Sequence, residues 1–176
     1  MKCYVTSLKE IKVFHIIVKM KILGGLKMNL EIKKFDKLTT KELYDILKVR
    51  LEVFIIEQGS FYNDADGRDF DSDHLMIKED GKLLAYLRII KPGIAYDECS
   101  LGRVLVIKEA RGRGLAKKIV KNGIDHVINS WNEKKIKIAA KNYLREFYKS
   151  FGFKPISEVY LEDGIPHVNM SLEVKK

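Results

Sequence analysis

Apolar and polar residues alternate loosely from Leu30 to Phe35, which predicts a first strand. Thr39-Thr40-Lys41-Glu42 has capping-box spacing, with Thr39 as the cap and Glu42 three residues on. Leu43, Ile46, Leu47, Leu51 and Phe54 then recur at helical spacing, predicting a helix over about 40 to 56. Phe61 to Asp73 is rich in aspartate and contains Asn63 and Gly67, the composition of a loop. His74 to Lys78 and Leu83 to Ile90 make two strands joined by the hairpin signal Asp80-Gly81, and Pro92-Gly93 ends the second. Leu101 to Ile107 is an almost continuous apolar run, as in a central strand covered on both faces. Leu115, Ile119, Val120, Ile124, Val127, Ile128 and Trp131 trace one helical stripe. Lys135 to Ala140 alternates as a strand, and Leu144 to Phe151 forms a short helix ended by Gly152. Pro155 to Leu161 and Pro166 to Leu172 are two further strands, joined through Glu162-Asp163-Gly164. Helices interspersed among strands, with hairpins at both ends and no internal repeat, predict a mixed sheet in one α/β domain.

Composition narrows this picture. A chain of 176 residues with 46% apolar residues can bury a full core, which excludes wholesale disorder. Cys3 and Cys99 lie far apart and form neither a disulfide framework nor a C-x-x-C motif, which points to a reducing, cytoplasmic location. Four scattered histidines give no metal-site spacing, and the aspartates from Asp64 to Asp73 lack the closing glutamate of a calcium loop, so no metal is expected. The net charge of +9 suggests nucleic acid until its distribution is examined. Residues 1–27 hold six lysines and one glutamate, leaving 27 basic and 23 acidic residues for the rest. The body is therefore only mildly basic, and no nucleic-acid partner is expected.

Residues 1–27 are expected to be an extension, separate from a single domain over 28–176. Their longest apolar stretch, Val13 to Val18, is too short to span a membrane. Gly24-Gly25 can be encoded by a purine-rich ribosome-binding sequence two codons before Met28, so translation is expected to start at Met28. The alternative is a basic amphipathic extension that touches lipid or a partner.

Glu109-Ala-Arg-Gly-Arg-Gly-Leu-Ala-Lys-Lys118 follows the buried strand and opens the long helix. The first backbone N–H groups of a helix have no intrahelical partners, and the helix dipole adds partial positive charge beside them. Gly112 and Gly114 allow positive φ and close approach of a ligand. Arg111, Arg113 and Lys117 add charge at the rim. A phosphate site is expected over Arg111 to Lys117, including Leu115 and Ala116. Neither a dinucleotide-binding fingerprint nor a P-loop is present.

Arg111-Gly112-Arg113-Gly114-Leu115-Ala116 resembles the [Q/R]-x-x-G-x-[G/A] signature of the GNAT superfamily of N-acetyltransferases. Val104-Leu105-Val106 precedes it at the usual distance, and Phe147-Tyr148-Lys149-Ser150-Phe151-Gly152-Phe153 resembles the superfamily's later aromatic segment. Val49 to Gln58, with Tyr62, Asp64, Asp66 and His74 after it, and Tyr160 to His167 are similar to the ElaA subgroup. This resemblance, over roughly residues 30 to 172, implies an α+β GNAT fold: a mostly antiparallel mixed sheet with splayed middle strands and flanking helices. It implies direct acetyl transfer from acetyl-CoA to an amine, with no covalent enzyme intermediate. The pyrophosphate would sit over Gly112 to Lys117 and the pantetheine amides along Val104, Leu105 and Val106. Tyr148 would be the general acid toward the CoA thiolate.

Three general bases remain open: Glu57 after an apolar run, with a raised pKa if partly buried, His74 and His167. The family's asparagine seven residues before the tyrosine is replaced by Lys141. Either Asn142 takes the cofactor contact one residue late, or Lys141 faces the CoA phosphates. Asp64 and Asp66 form a solvated loop or an acidic wall that attracts a cationic acceptor, such as a small amine or a lysine side chain. Arg50 and Arg103 are the natural ion-pair partners of such carboxylates. The competing function is an acetyl-CoA-binding regulatory module without turnover, and a monomer and a homodimer are both open.

Overall fold

The computed structural model describes residues 27–174, so the expected start of translation at Met28 concerns a segment outside the described residues. Strand β1 (Met28–Lys34) leads into helix α1 (Thr40–Arg50), which continues without a break as a π-helical segment, Leu51–Glu57. Strands β2 (Ser72–Glu79), β3 (Lys82–Ile90) and β4 (Ser100–Val106) precede helix α2 (Leu115–Asn129). Strand β5 (Lys135–Lys141), the short helix α3 (Arg145–Lys149), and strands β6 (Lys154–Pro155), β7 (Tyr160–Glu162) and β8 (Ile165–Glu173) complete the chain. The expected strand Pro155 to Leu161 is not continuous. Both β6 and β7 pair with the same edge of β8, and residues 156–159 loop out between them, tied back where the Asn169 N–H donates to Ser157 Oγ.

The capping box forms as its spacing requires: the Glu42 N–H donates to Thr39 Oγ1 at 3.2 Å and the Thr39 N–H donates to Glu42 Oε2 at 2.9 Å. The same carboxylate also receives Lys33 at 2.7 Å and Lys78 at 2.6 Å, which ties α1 to β1 and β2. Ile46, Val49, Val53 and Phe54 form the buried stripe of the helix. Helix α2 lies close on β3: a Cβ added to Gly123 would stand 3.2 Å from Leu87.

Antiparallel pairing orders one sheet β1-β2-β3-β4 and the other β5-β8-β6, with β7 also on β8. The two sheets meet where Cys99 and Ile136 form a parallel bridge and the Lys137 N–H donates to the Cys99 carbonyl at 2.9 Å. Among the described residues no ladder joins β4 to β5 beyond that point, so the middle strands part. A bulge in β4 accompanies the parting. Arg88 pairs with Gly102 and Tyr86 with Leu105, so two residues of β4, Arg103 and Val104, oppose Leu87 alone. Arg103 holds φ +53°, a left-handed conformation costing a non-glycine residue about 1–2 kcal/mol. Its Nε donates to Asp64 Oδ1 at 2.7 Å, which holds the bulge in place.

Stability should fall in acid for reasons visible in this fold. Burial opposes ionisation of Asp66, yet Arg88 and Arg103 outweigh it and hold the carboxyl at about 2. Burial likewise opposes ionisation of Glu42, and Lys33 and Lys78 bring it to about 2. Depressed carboxyls stabilise the fold above their unfolded values, near ~4, and this is lost as pH falls toward 2. Each contributes on the order of 2–3 kcal/mol. His74 adds to the effect, because burial lowers its pKa and the unfolded chain takes up that proton first, from about 6.5 downward. Denaturant midpoints measured from pH 7 to pH 3 should therefore decline, most steeply below pH 4. A flat profile would contradict these assignments.

Candidate active site

A cleft of about 380 Å³ opens where β4 and β5 part. Val104 lines one wall, Lys141 the other, and Tyr148 and His167 face it from α3 and β8. Gly112 (φ +77°) and Gly114 (φ +74°) take conformations that disfavour any other residue, and no heavy atom lies within 4 Å of where a Cβ would stand on either. The result is an exposed, open turn against the N-terminus of α2, whose first N–H groups, from Leu115 to Lys117, have no intrahelical acceptor. Arg111 and Arg113 flank it. Arg111 donates to Val106 O at 3.1 Å and holds Glu57 with two bonds of 2.6 and 2.8 Å; Arg113 holds Glu79. This turn could hold a pyrophosphate: open backbone donors, room without a side chain, and two arginines beside it, each also paired with a glutamate.

The three candidate bases fall in three different environments. Glu57 is exposed, and Arg111, through its hydrogen bonds and charge, lowers its pKa, against the raised value expected from its apolar neighbours in sequence. The π-helical turn carries it past the apolar face to the surface. His74 is fully buried in β2. Its Nε2–H donates to the Asp69 carbonyl at 3.0 Å, so Nδ1 accepts from the Tyr86 hydroxyl at 2.8 Å. Both nitrogens are used and none faces the cleft. His167 does line the cleft. Its Nδ1 meets the Ile165 carbonyl at 2.8 Å; a carbonyl only accepts, so Nδ1 carries the proton and Nε2 keeps a free lone pair.

Tyr148 is buried among aromatic edges, with Phe147 at 5.2 Å and Phe153 at 5.8 Å between ring centroids. Burial, and then the neighbouring Tyr143, push its pKa well above the ordinary phenol value, so it is protonated at neutral pH. Asn142 begins the 3-10 turn after β5 and does not line the cleft, whereas Lys141 does. Lys141 Nζ donates to Gln58 Oε1, and burial lowers its pKa. Cys99 is buried, and its surroundings, burial first and Glu133 second, push the thiol up to about 11, which makes a nucleophilic role untenable.

Asp64, Asp66 and Asp69 do not form an acidic wall. Arg50, fully buried, donates to Asp64 Oδ2 at 2.8 Å and to Asp69 Oδ1 at 2.7 Å. Arg88 grips both oxygens of Asp66 at 2.7 Å, and Arg103 completes the set. Three carboxylates meet three guanidiniums, so the loop is neutralised and stapled to the sheet. The charge of these three aspartates is matched inside the protein, and Glu162 and Asp163 are the carboxylates of the cleft lining outside this set. The bulge at Arg103 was not anticipated from sequence, although Gly102 inside an apolar run is the mark such a bulge leaves. Among the described residues, no group of three or more His, Cys, Asp or Glu side chains could hold a metal ion, and no helix is long and apolar enough to cross a membrane.

Residues 42–174 match the family described as acetyltransferase (GNAT) domain. The chain belongs to the GNAT acetyltransferase family. Within it the resemblance is to ElaA: the chain is 36% identical to Protein ElaA of Escherichia coli K12 over 141 residues, covering 79% of this chain and 92% of that protein. The crystal structure of Escherichia coli ElaA superposes with a TM-score of 0.78 at 33% identity, over 84% of this chain and all of that one. An acyl-CoA N-acyltransferase from Pseudomonas aeruginosa gives 0.79 at 37% identity, over 83% of this chain and 99% of its own. This GNAT protein is thus an acyltransferase, and the GNAT fold generally binds acetyl-CoA or acyl-CoA.

Proposed function

We propose that this protein transfers an acetyl group from acetyl-CoA directly to an amine. The observation that carries this is the parting of β4 and β5, with Tyr148 and His167 facing the cleft it creates, and the open Gly112–Gly114 turn that follows β4. The pyrophosphate lies on the N–H groups opening α2, and the pantetheine runs along the free edge of Val104–Val106. Backbone N–H near Val106 supports the oxyanion formed when the amine attacks the thioester carbonyl. His167, with its proton fixed on Nδ1, accepts the amine's proton at Nε2. Tyr148 donates a hydrogen bond to the departing sulfur. A phenol held above its ordinary pKa loses its proton only uphill to a thiolate, so stabilising the developing charge is its main contribution.

The test of the donor site is calorimetric titration with acetyl-CoA on the wild type, Gly114→Ala and Gly114→Glu. Both variants carry the strain of positive φ, and only the second adds an anion. Like charges forced together cost several kcal/mol, so Gly114→Glu should bind at least ~100-fold more weakly than Gly114→Ala, with both folded by circular dichroism. Equal binding by the two would remove the pyrophosphate from this turn.

For the base, His167→Gln should lower kcat by roughly 10²-fold or more, with acetyl-CoA affinity unchanged. A kcat within about threefold of wild type would exclude His167 as the base.

A further inference from the structure

In the antiparallel ladder between β5 and β8, Lys141 stands directly opposite His167. Paired residues share one face of a sheet with Cα atoms roughly 4.5–5.5 Å apart. Both line the cleft. The proposed base and a cation are therefore close neighbours on one wall of the acceptor pocket.

The charge around Lys141 is unbalanced. Asp66, which lines the cleft, and its neighbours Asp64 and Asp69 are consumed by Arg50, Arg88 and Arg103, and among the described residues no carboxylate, Glu162 and Asp163 of the lining included, pairs with Lys141. Lys141 is half-buried, and the hydrogen-bond partner it finds is Gln58, a neutral amide. Desolvated cations are costly unless an anion accompanies them. Arg68 is an exposed cation at the rim: it reaches Asp66 Oδ2 at only 4.0 Å, and that carboxylate is already gripped by Arg88. Beside them, Ser60 lines the cleft with a buried hydroxyl that has no hydrogen-bond partner. Lys141, Arg68 and Ser60 are all donors facing one space. A group with acceptors only, carrying negative charge, satisfies all three.

We infer that the acceptor is an α-amino acid or a close analogue, its carboxylate held by Lys141 with Ser60 and Arg68, and its amine presented to His167. The adjacent ladder positions of Lys141 and His167 match the short separation between the amino and carboxylate groups of such a molecule. A diamine or a lysine side chain in a protein offers no anion at that distance. This inference rests on the acyltransferase reading above and specifies its acceptor.

The experiment compares acetyl-CoA-dependent thiol release for amino acids and for the matching decarboxylated amines: phenylalanine with phenethylamine, lysine with cadaverine, alanine with ethylamine. A charge-assisted contact in a cleft should favour the amino acid by roughly 10–100-fold in kcat/KM. Lys141→Gln should collapse that ratio chiefly through KM of the amino acid, and Arg68→Gln should reduce it less, since Arg68 is at the rim. Thermal midpoints of both variants establish that they are folded, and calorimetry establishes whether they still bind acetyl-CoA. Equal rates on acids and amines in the wild type overturn the inference and leave the acyltransferase reading intact. So does a Lys141→Gln variant that keeps the ratio but binds acetyl-CoA more weakly, which would place Lys141 on the donor. If no compound of either kind accelerates thiol release, the transferase reading falls and this inference with it.

Discussion

Replacing Arg50 with methionine is expected to cost roughly 3–5 kcal/mol of stability, because it breaks a fully buried ion pair and leaves charge behind. Arg50 has no solvent exposure and binds two carboxylates and the Asp64 carbonyl at once. Methionine keeps the apolar stem and removes five donors. Asp64 retains Arg103 and Asp69 retains Arg88, so neither carboxylate is wholly orphaned. Even so, the loop from Gln58 to Asp71 loses its link to α1. For a domain of this size the loss corresponds to a drop of about 6–20 °C in melting temperature. Arg111→Met is the control. Its pair with Glu57 has both partners around two-fifths exposed, and solvent-exposed pairs contribute about 0–1 kcal/mol. A shift of under about 3 °C in Arg50→Met, similar to the control, would show that the three-arginine staple carries little of the stability.

That staple also marks the limit of what the chain discloses before folding. Thr39 and Glu42 announce the start of α1 because a capping box is local, and the two bonds form as its spacing demands. Gly112 and Gly114 announce the positive-φ turn that opens α2 for the same reason: strand, turn and helix N-terminus are contiguous. The Asp64–Asp73 segment gives no such local cue. Arg50 and Arg103 are expected as partners of its carboxylates by charge alone and do pair with Asp64, but which carboxylate each takes, and the entry of Arg88, come only with the tertiary fold. His74 looks like a candidate base for the same reason, until Tyr86 from the neighbouring strand occupies its second nitrogen. Glu57 is displaced by a register effect. Helical spacing extends α1 smoothly, whereas the π-helical turn from Leu51 to Glu57 moves Glu57 and Gln58 to the cleft's edge, where they reach Arg111 and Lys141. The acceptor pocket, built from cross-strand neighbours in β5 and β8, exists only once those strands pair.

Tyr148→Phe should lower kcat by roughly 10²–10³-fold while leaving the protein folded and the acetyl-CoA affinity within about threefold of wild type. The substitution separates two roles that coincide in one side chain. As a packing residue, Tyr148 meets the edges of Phe147 and Phe153, and phenylalanine preserves those contacts. As a donor, it presents a hydroxyl that burial keeps protonated beside the cleft, and phenylalanine removes only that. Stability therefore reports the first role and kcat the second. Ground-state binding of the thioester gains little from the hydroxyl, because the sulfur acquires charge only as the C–S bond breaks, so the loss should appear in kcat rather than KM. A further signature follows from the leaving group. Acyl donors whose thiols have lower pKa need less help on departure, so the deficit of Tyr148→Phe should shrink with them. A variant that loses several degrees of melting temperature but keeps its kcat would make Tyr148 a core aromatic, and departure of the thiolate would then depend on solvent.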